Sequence, residues 1–124
     1  MKIQLKRVYD ETADEDGFRI LVEGLWPRGF TKADARVDLW VKEIAPSPAL
    51  RQWYAHDVER WPEFKRRYEA ELREGSDTLD KLLEQCRRHA TTTFVYAARD
   101  EEHNSARVLR DFVERRLRPK ARSR

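Results

Sequence analysis

Three polar clusters in this chain combine residue types and spacings suited to chemistry. The first is Leu25-Trp26-Pro27-Arg28-Gly29, expected just past the C-terminal end of a strand. In open α/β sheets ligands bind in the crevice outside those strand ends. A loop punctuated by proline and glycine offers backbone donors there, and the planar guanidinium of Arg28 matches a carboxylate or phosphate. The plain alternative is a tight turn in which Trp26 packs and Arg28 is a surface charge.

The second cluster, Ala97-Ala98-Arg99-Asp100-Glu101-Glu102-His103-Asn104, reads as strand end, turn and helix start. A helix N-terminus attracts anions through its unpaired N–H groups and dipole. Asp100, Glu101 and Glu102 already satisfy that end and would repel a free phosphate, so the cluster suits proton handling by Asp100 or His103 better than a phosphate cradle. In the first helical turn the dipole would favour neutral His103. The alternative is a capping Asp100 with His103 and Asn104 as surface groups. The third cluster is His56-Asp57. With only His89 and His103 as further histidines, it falls short of the ligand set a metal needs. No metal is expected, and the residues name no cofactor.

The elements that must position these clusters follow from the apolar pattern. Residues 2–9 alternate with a period of two and read as a strand, and Phe18 to Leu25 reads as a second, buried around Ile20-Leu21-Val22. Thr31 can cap a short helix. Val37, Trp40, Val41 and Ile44 recur at helical spacing over 35–44. Ser47-Pro48 is a helix start, as cap and first turn. Trp61, Phe64, Tyr68 and Leu72 form one stripe of a helix ended by Gly75. Ser76 and Asp77 are expected to cap the next, which runs to Arg88, and Thr91 to Ala98 reads as a third strand. Asp100 would cap a last helix with Ala106, Leu109, Phe112, Val113 and Leu117 on its inner side. The four tryptophans and nearby aromatics, at helical spacing, read as core rather than base-stacking platforms. The order predicts a small single α/β domain: a short, mostly parallel sheet packed with about five helices.

Composition sets the outer limits. The chain has 124 residues, 40% of them charged and 40% hydrophobic, and a mean hydropathy of −0.92. No apolar run approaches the ~20 residues of a membrane span, and the start has no signal-peptide core. One cysteine, Cys86, cannot form an internal disulfide, which fits a reducing, cytoplasmic setting. It shares an apolar helix face with Leu79, Leu82 and Leu83 and reads as a small buried hydrophobe. The formal charge is +3, yet six of the 26 basic residues (Arg115, Arg116, Arg118, Lys120, Arg122 and Arg124) lie in 115–124, where no acid occurs. The other 20 face 23 acids, leaving a slightly acidic body at 1–114 and a basic tail at 115–124 that is expected to be flexible.

Three segments together resemble the YeaO-like branch of a bacterial family of unknown function, domain of unknown function 488. They are Leu25 to Gly29; the stretch from Trp40 through Lys42, Ala45-Pro46-Ser47, Leu50-Arg51, Trp53, His56-Asp57, Trp61, Phe64, Tyr68 and Glu71-Leu72; and Tyr96 to Asp100 with His103-Asn104 and Leu109. The resemblance spans about residues 2–113 and implies a small cytoplasmic α/β protein without a settled reaction. It directs attention to Trp26, Pro27, Arg28, His56, Asp57, Arg99, Asp100, His103 and Asn104. Where that family commonly carries Asp-Arg ahead of the first motif, this chain has Glu23-Gly24, a loss that would weaken an anion pocket there.

The expectation is therefore a small-molecule enzyme or binding protein with its site at the strand C-terminal ends. Arg28 and Arg99 would hold an anion, Asp100 or His103 would move a proton, Asn104 would orient the ligand, and Trp26, His56 and Asp57 would border it. The alternatives are weak, sequence-independent nucleic-acid association through the basic tail, or a non-catalytic interaction domain.

Overall fold

A computed structural model describes residues 2–118. Four strands form one sheet in the order β1 (Lys2–Arg7), β4 (Thr91–Tyr96), β2 (Phe18–Leu21), β3 (Leu39–Trp40), and every pairing is parallel. Five helices accompany it: α1 (Lys32–Ala35), α2 (Pro48–Tyr54), α3 (Trp61–Glu74), α4 (Ser76–Arg88) and α5 (Ser105–Leu117).

The strand register divides the sheet into two unlike faces, because neighbours in register point the same way. Leu5, Phe94 and Ile20 lie in one row across three strands. They face the main core, to which α2, α3, α4 and α5 contribute Leu50, Tyr54, Phe64, Tyr68, Leu79, Leu82, Cys86, Leu109 and Phe112. On the other face the row is Gln4, Thr93 and Arg19, followed by Lys6, Val95 and Leu21. Only a small cluster covers this side: Val8, Leu21, Ala35 and Val95, with Trp26 and Phe30 against it. The longer helices thus pack on one face, and the other carries α1 and loops.

Several elements form as their residues dictate. The Thr31 side chain caps α1 through the Asp34 N–H, and Ser47 caps α2 through the Leu50 N–H, with Pro48 in the first turn. Phe64, Tyr68 and Leu72 make the buried stripe of α3, and the Tyr68 hydroxyl donates to the Ile44 carbonyl at 2.6 Å. Burial raises the Tyr68 phenol far above its usual range. Cys86 is fully buried, and burial pushes its thiol up to about 11, so little of the reactive thiolate exists at neutral pH.

Four local expectations are overturned. Residues 35–44 are not a helix: Arg36 turns left-handed at φ 50°, and Leu39–Trp40 extend to pair with β2. The Asp38 N–H donates to Arg19 O and the Val41 N–H to Leu21 O, so this stretch forms an outer strand of the sheet before Lys42–Ile44 turn into a 3-10 helix. β2 ends at Leu21, and Leu25 stands 76% exposed. α4 starts from Gly75 without a side-chain cap from Ser76 or Asp77. Finally, α5 is capped by Asn104, whose Oδ1 accepts the Arg107 N–H at 2.9 Å, whereas Asp100 caps the turn before it.

The boundary drawn between 114 and 115 falls inside α5, which continues to Leu117. Arg115 pairs with Glu69 at 2.8 Å, Arg116 lies against Phe112, and Arg118 is exposed. Lys120, Arg122 and Arg124 lie outside the described residues. Among the described residues no helix is long and apolar enough to cross a membrane.

Candidate functional site

The C-terminal ends of β2 and β4 open on a cleft of about 310 Å³. Glu23, two residues past β2, and Ala97-Ala98, just past β4, form its floor. Pro46, Arg51 and Tyr54 come from α2 and the turn before it, Phe64 from α3, and His56 from the turn between them. His103, Asn104 and Ser105 close it from the start of α5. The small side chains of Ala97 and Ala98 leave the space that a larger pair would fill.

The polar groups are held in place locally. Glu23 Oε2 accepts the Ala97 N–H at 2.8 Å, which ties the ends of two strands together. Arg51 Nη1 donates to the Pro46 carbonyl at 3.0 Å. A Cβ on Gly24 would fall 2.5 Å from that same nitrogen, so the absence of a side chain at position 24 lets the guanidinium lie against the backbone. Asp100 Oδ1 accepts the N–H groups of Glu102 and His103 at 2.9 and 3.0 Å. Those bonds, the His103 ring contact and the charge of His103 hold the Asp100 carboxyl below its usual range. Its Oδ2 lies 3.0 Å from His103 Nδ1. A carboxylate only accepts, so Nδ1 carries the proton, and Nε2 remains as the ring's other polar atom. The ring stands edge-on to Trp61, with centroids 5.2 Å apart.

His56 sits in the left-handed region at φ 59°, directly after Ala55 at φ 46°. Two such residues in succession end α2 abruptly and turn His56 to the cleft mouth; the conformation is uncommon for any non-glycine residue, though histidine tolerates it better than most. Asp57 looks elsewhere, accepting the Glu59 N–H at 3.1 Å and pairing with Arg60 at 3.6 Å.

Of the residues singled out in the sequence, His56, His103 and Asn104 line the cleft, with Asp100 behind His103. Arg28, Arg99, Asp57 and Trp26 are not among its lining residues. Arg28 and Arg99 are exposed, and Trp26 packs on the sheet's thinly covered face, where its Nε1 donates to the Phe30 carbonyl at 2.7 Å. His103 precedes the α5 cap, so the dipole argument applied to it does not hold. Among the described residues no three His, Cys, Asp or Glu side chains gather as a metal-ligand set. Arg51 and Glu23 are the charged lining residues to which the sequence assigned no role in the site, and Tyr54 and Ser105 join them. Nothing in their spacing links α2 to the end of β2; the one hint was the residue pair Glu23-Gly24 itself.

A model of the inactive DUF488-N3 subclade, DUF488-N3i, matches residues 2–124. The chain belongs to this family. The DUF488-N3i match runs past residue 113 and includes the basic C-terminal residues. The chain is 40% identical over 113 residues to the uncharacterized protein YeaO of Escherichia coli (strain K12), covering 91% of this chain and 97% of that one. It is 38% identical over 108 residues to the uncharacterized protein Rv3073c of Mycobacterium tuberculosis (strain ATCC 25618 / H37Rv), covering 87% and 90%. The uncharacterized protein Mb3100c of Mycobacterium bovis (strain ATCC BAA-935 / AF2122/97) is similar to the same extent. No solved structure matches the chain at a significant level. The YeaO-like resemblance and the small α/β domain with a parallel sheet both stand.

Proposed function

We propose that this DUF488-N3i member is a cytoplasmic protein that binds a small anionic molecule in the cleft at the sheet's C-terminal edge. The observation that carries the reading is the convergence of Arg51, His56 and His103, from three separate segments, on one concavity with aromatic walls. Few convergent polar groups in a largely apolar cleft are the usual make-up of a ligand site. Arg51 supplies the anion contact that was assigned to Arg28 and Arg99, because only Arg51 among the three lines the cleft. Asp100 orients His103, and His103 offers the ligand a hydrogen bond. The name of the subclade, inactive, favours binding over turnover. The buried, single thiol suits a reducing compartment.

A thermal-shift series against small carboxylates and phosphates tests it. A ligand at a hundredfold excess over Kd adds about 2.7 kcal/mol of apparent stability. The wild type and Arg28→Ala should both shift with a shared ligand, and Arg51→Gln should not. A shift that persists in Arg51→Gln, or no shift with any anion, overturns the proposal.

A further inference from the structure

Besides its two histidines, the cleft is lined by one cation and one carboxylate, Arg51 and Glu23, and the two do not pair with each other. Arg51 and Glu23 both line it, yet among the described residues neither takes part in an ion pair. Each is instead tethered through a single backbone group: Arg51 Nη1 to the Pro46 carbonyl, Glu23 Oε2 to the Ala97 N–H. Each keeps capacity beyond its tether, since a guanidinium has five N–H donors and a carboxylate has two acceptor oxygens. An unpaired charge at a partly desolvated site is costly, and a complementary ligand charge relieves that cost. An anion alone would satisfy Arg51 and leave the Glu23 carboxylate without a partner. A cation alone would do the reverse.

We infer that the ligand is a zwitterion of the α-amino-acid class, with its carboxylate on Arg51, its ammonium on Glu23 and an apolar or aromatic side chain against Tyr54 and Phe64. This deepens the anion-binding reading and rests on it. The two aromatic rings are themselves stacked, with centroids 4.5 Å apart, and present a fixed apolar wall. A cleft of about 310 Å³ fits an amino acid with a large side chain. Gly24 serves the same arrangement, because a side chain there would displace the Arg51 guanidinium from the floor.

The test is calorimetric titration of the full chain with L-phenylalanine and L-leucine, and with two truncated probes, 3-phenylpropionate and phenethylamine. Wild-type protein should bind an intact amino acid at least about tenfold more tightly than either truncated probe, the value of one charge-assisted hydrogen bond. Glu23→Gln, which keeps an oxygen for the Ala97 N–H, should erase the preference for L-phenylalanine over 3-phenylpropionate. Arg51→Gln should erase the preference over phenethylamine. If 3-phenylpropionate binds as tightly as L-phenylalanine, the zwitterion is overturned and the anion site survives. Absence of binding by both L-phenylalanine and L-leucine overturns the inference too, and the carboxylate and phosphate series then decides separately whether the site binds anions at all. Because the truncated probes are compared on wild-type protein, the result does not depend on either variant folding.

Discussion

Two charged regions of this molecule each bring together an arginine and a carboxylate and end in opposite conditions. Under the thinly covered face of the sheet, Arg19 and Asp16 pair at 2.7 Å with side chains only 5% and 6% exposed. Lys6 reaches the other Asp16 oxygen at 2.9 Å, the Ala13 N–H adds a further bond, and Arg19 also donates to the carbonyls of Ala35 and Arg36. Burial pushes the Asp16 carboxyl up, but the bonds from Lys6, Ala13 and Arg19 outweigh it and leave it below its usual range. Every strong group in that network has a partner inside the protein. In the cleft, Arg51, Glu23 and His103 have one local tether each and spare capacity. A saturated network fixes the fold; an unsaturated one is where a second molecule can gain affinity.

The difference is open to measurement, and the largest effect lies in the saturated network. Arg19→Met should destabilise the fold by about 3–5 kcal/mol, because it takes one of two cations from the buried Asp16 and leaves the carbonyls of Ala35 and Arg36 without their donors. Chemical denaturation would measure it, and a loss below 1 kcal/mol would mean the network is not structural. Next is acid. The folded-state value of Asp16 is depressed, so its stabilisation is complete above the unfolded value near 3.8 and is lost as pH falls through the lower folded value. Asp16→Asn should flatten that acid limb of the unfolding curve relative to wild type.

Asn104→Ala should cost about 1 kcal/mol through loss of the α5 cap, visible as a lower midpoint in thermal melts. Arg51→Gln should change unliganded stability by less than about 1 kcal/mol while removing ligand stabilisation. If it destabilised the free protein as much as Arg19→Met, the contrast between the two regions would collapse. The smallest effect belongs to Arg28→Ala, within about 0.5 kcal/mol and without consequence for binding.

What could be read from the sequence divides along the range of the interactions involved. Local signals held: the Thr31 and Ser47 caps, the α3 stripe and the Cys86 face are each set within a few residues. β3 was missed because Val37, Trp40, Val41 and Ile44 fit a helical period by coincidence, and pairing with β2 decided their conformation. The same holds for the site. His103 and Asn104 were legible as a polar turn after a strand. The role of Arg51 was not, because it depends on the guanidinium lying against Gly24, and no periodicity carries that contact. The Asp16–Arg19 pair was hidden inside what reads as a plain acidic loop and a buried strand, although an arginine in a buried strand was itself a signal that a partner must lie near.

The placement of β4 between β1 and β2 has a consequence for how the chain comes into being. The first two strands have no direct pairing with each other, and each pairs with residues 91–96. During vectorial synthesis the sheet therefore cannot close until most of the chain has left the ribosome. Until then β1 and β2 present open edges, and the apolar row that will receive four helices stays wet. Completion is then a late, concerted event, and a nascent chain stalled before residue 91 would be the species most prone to aggregate and most in need of a chaperone.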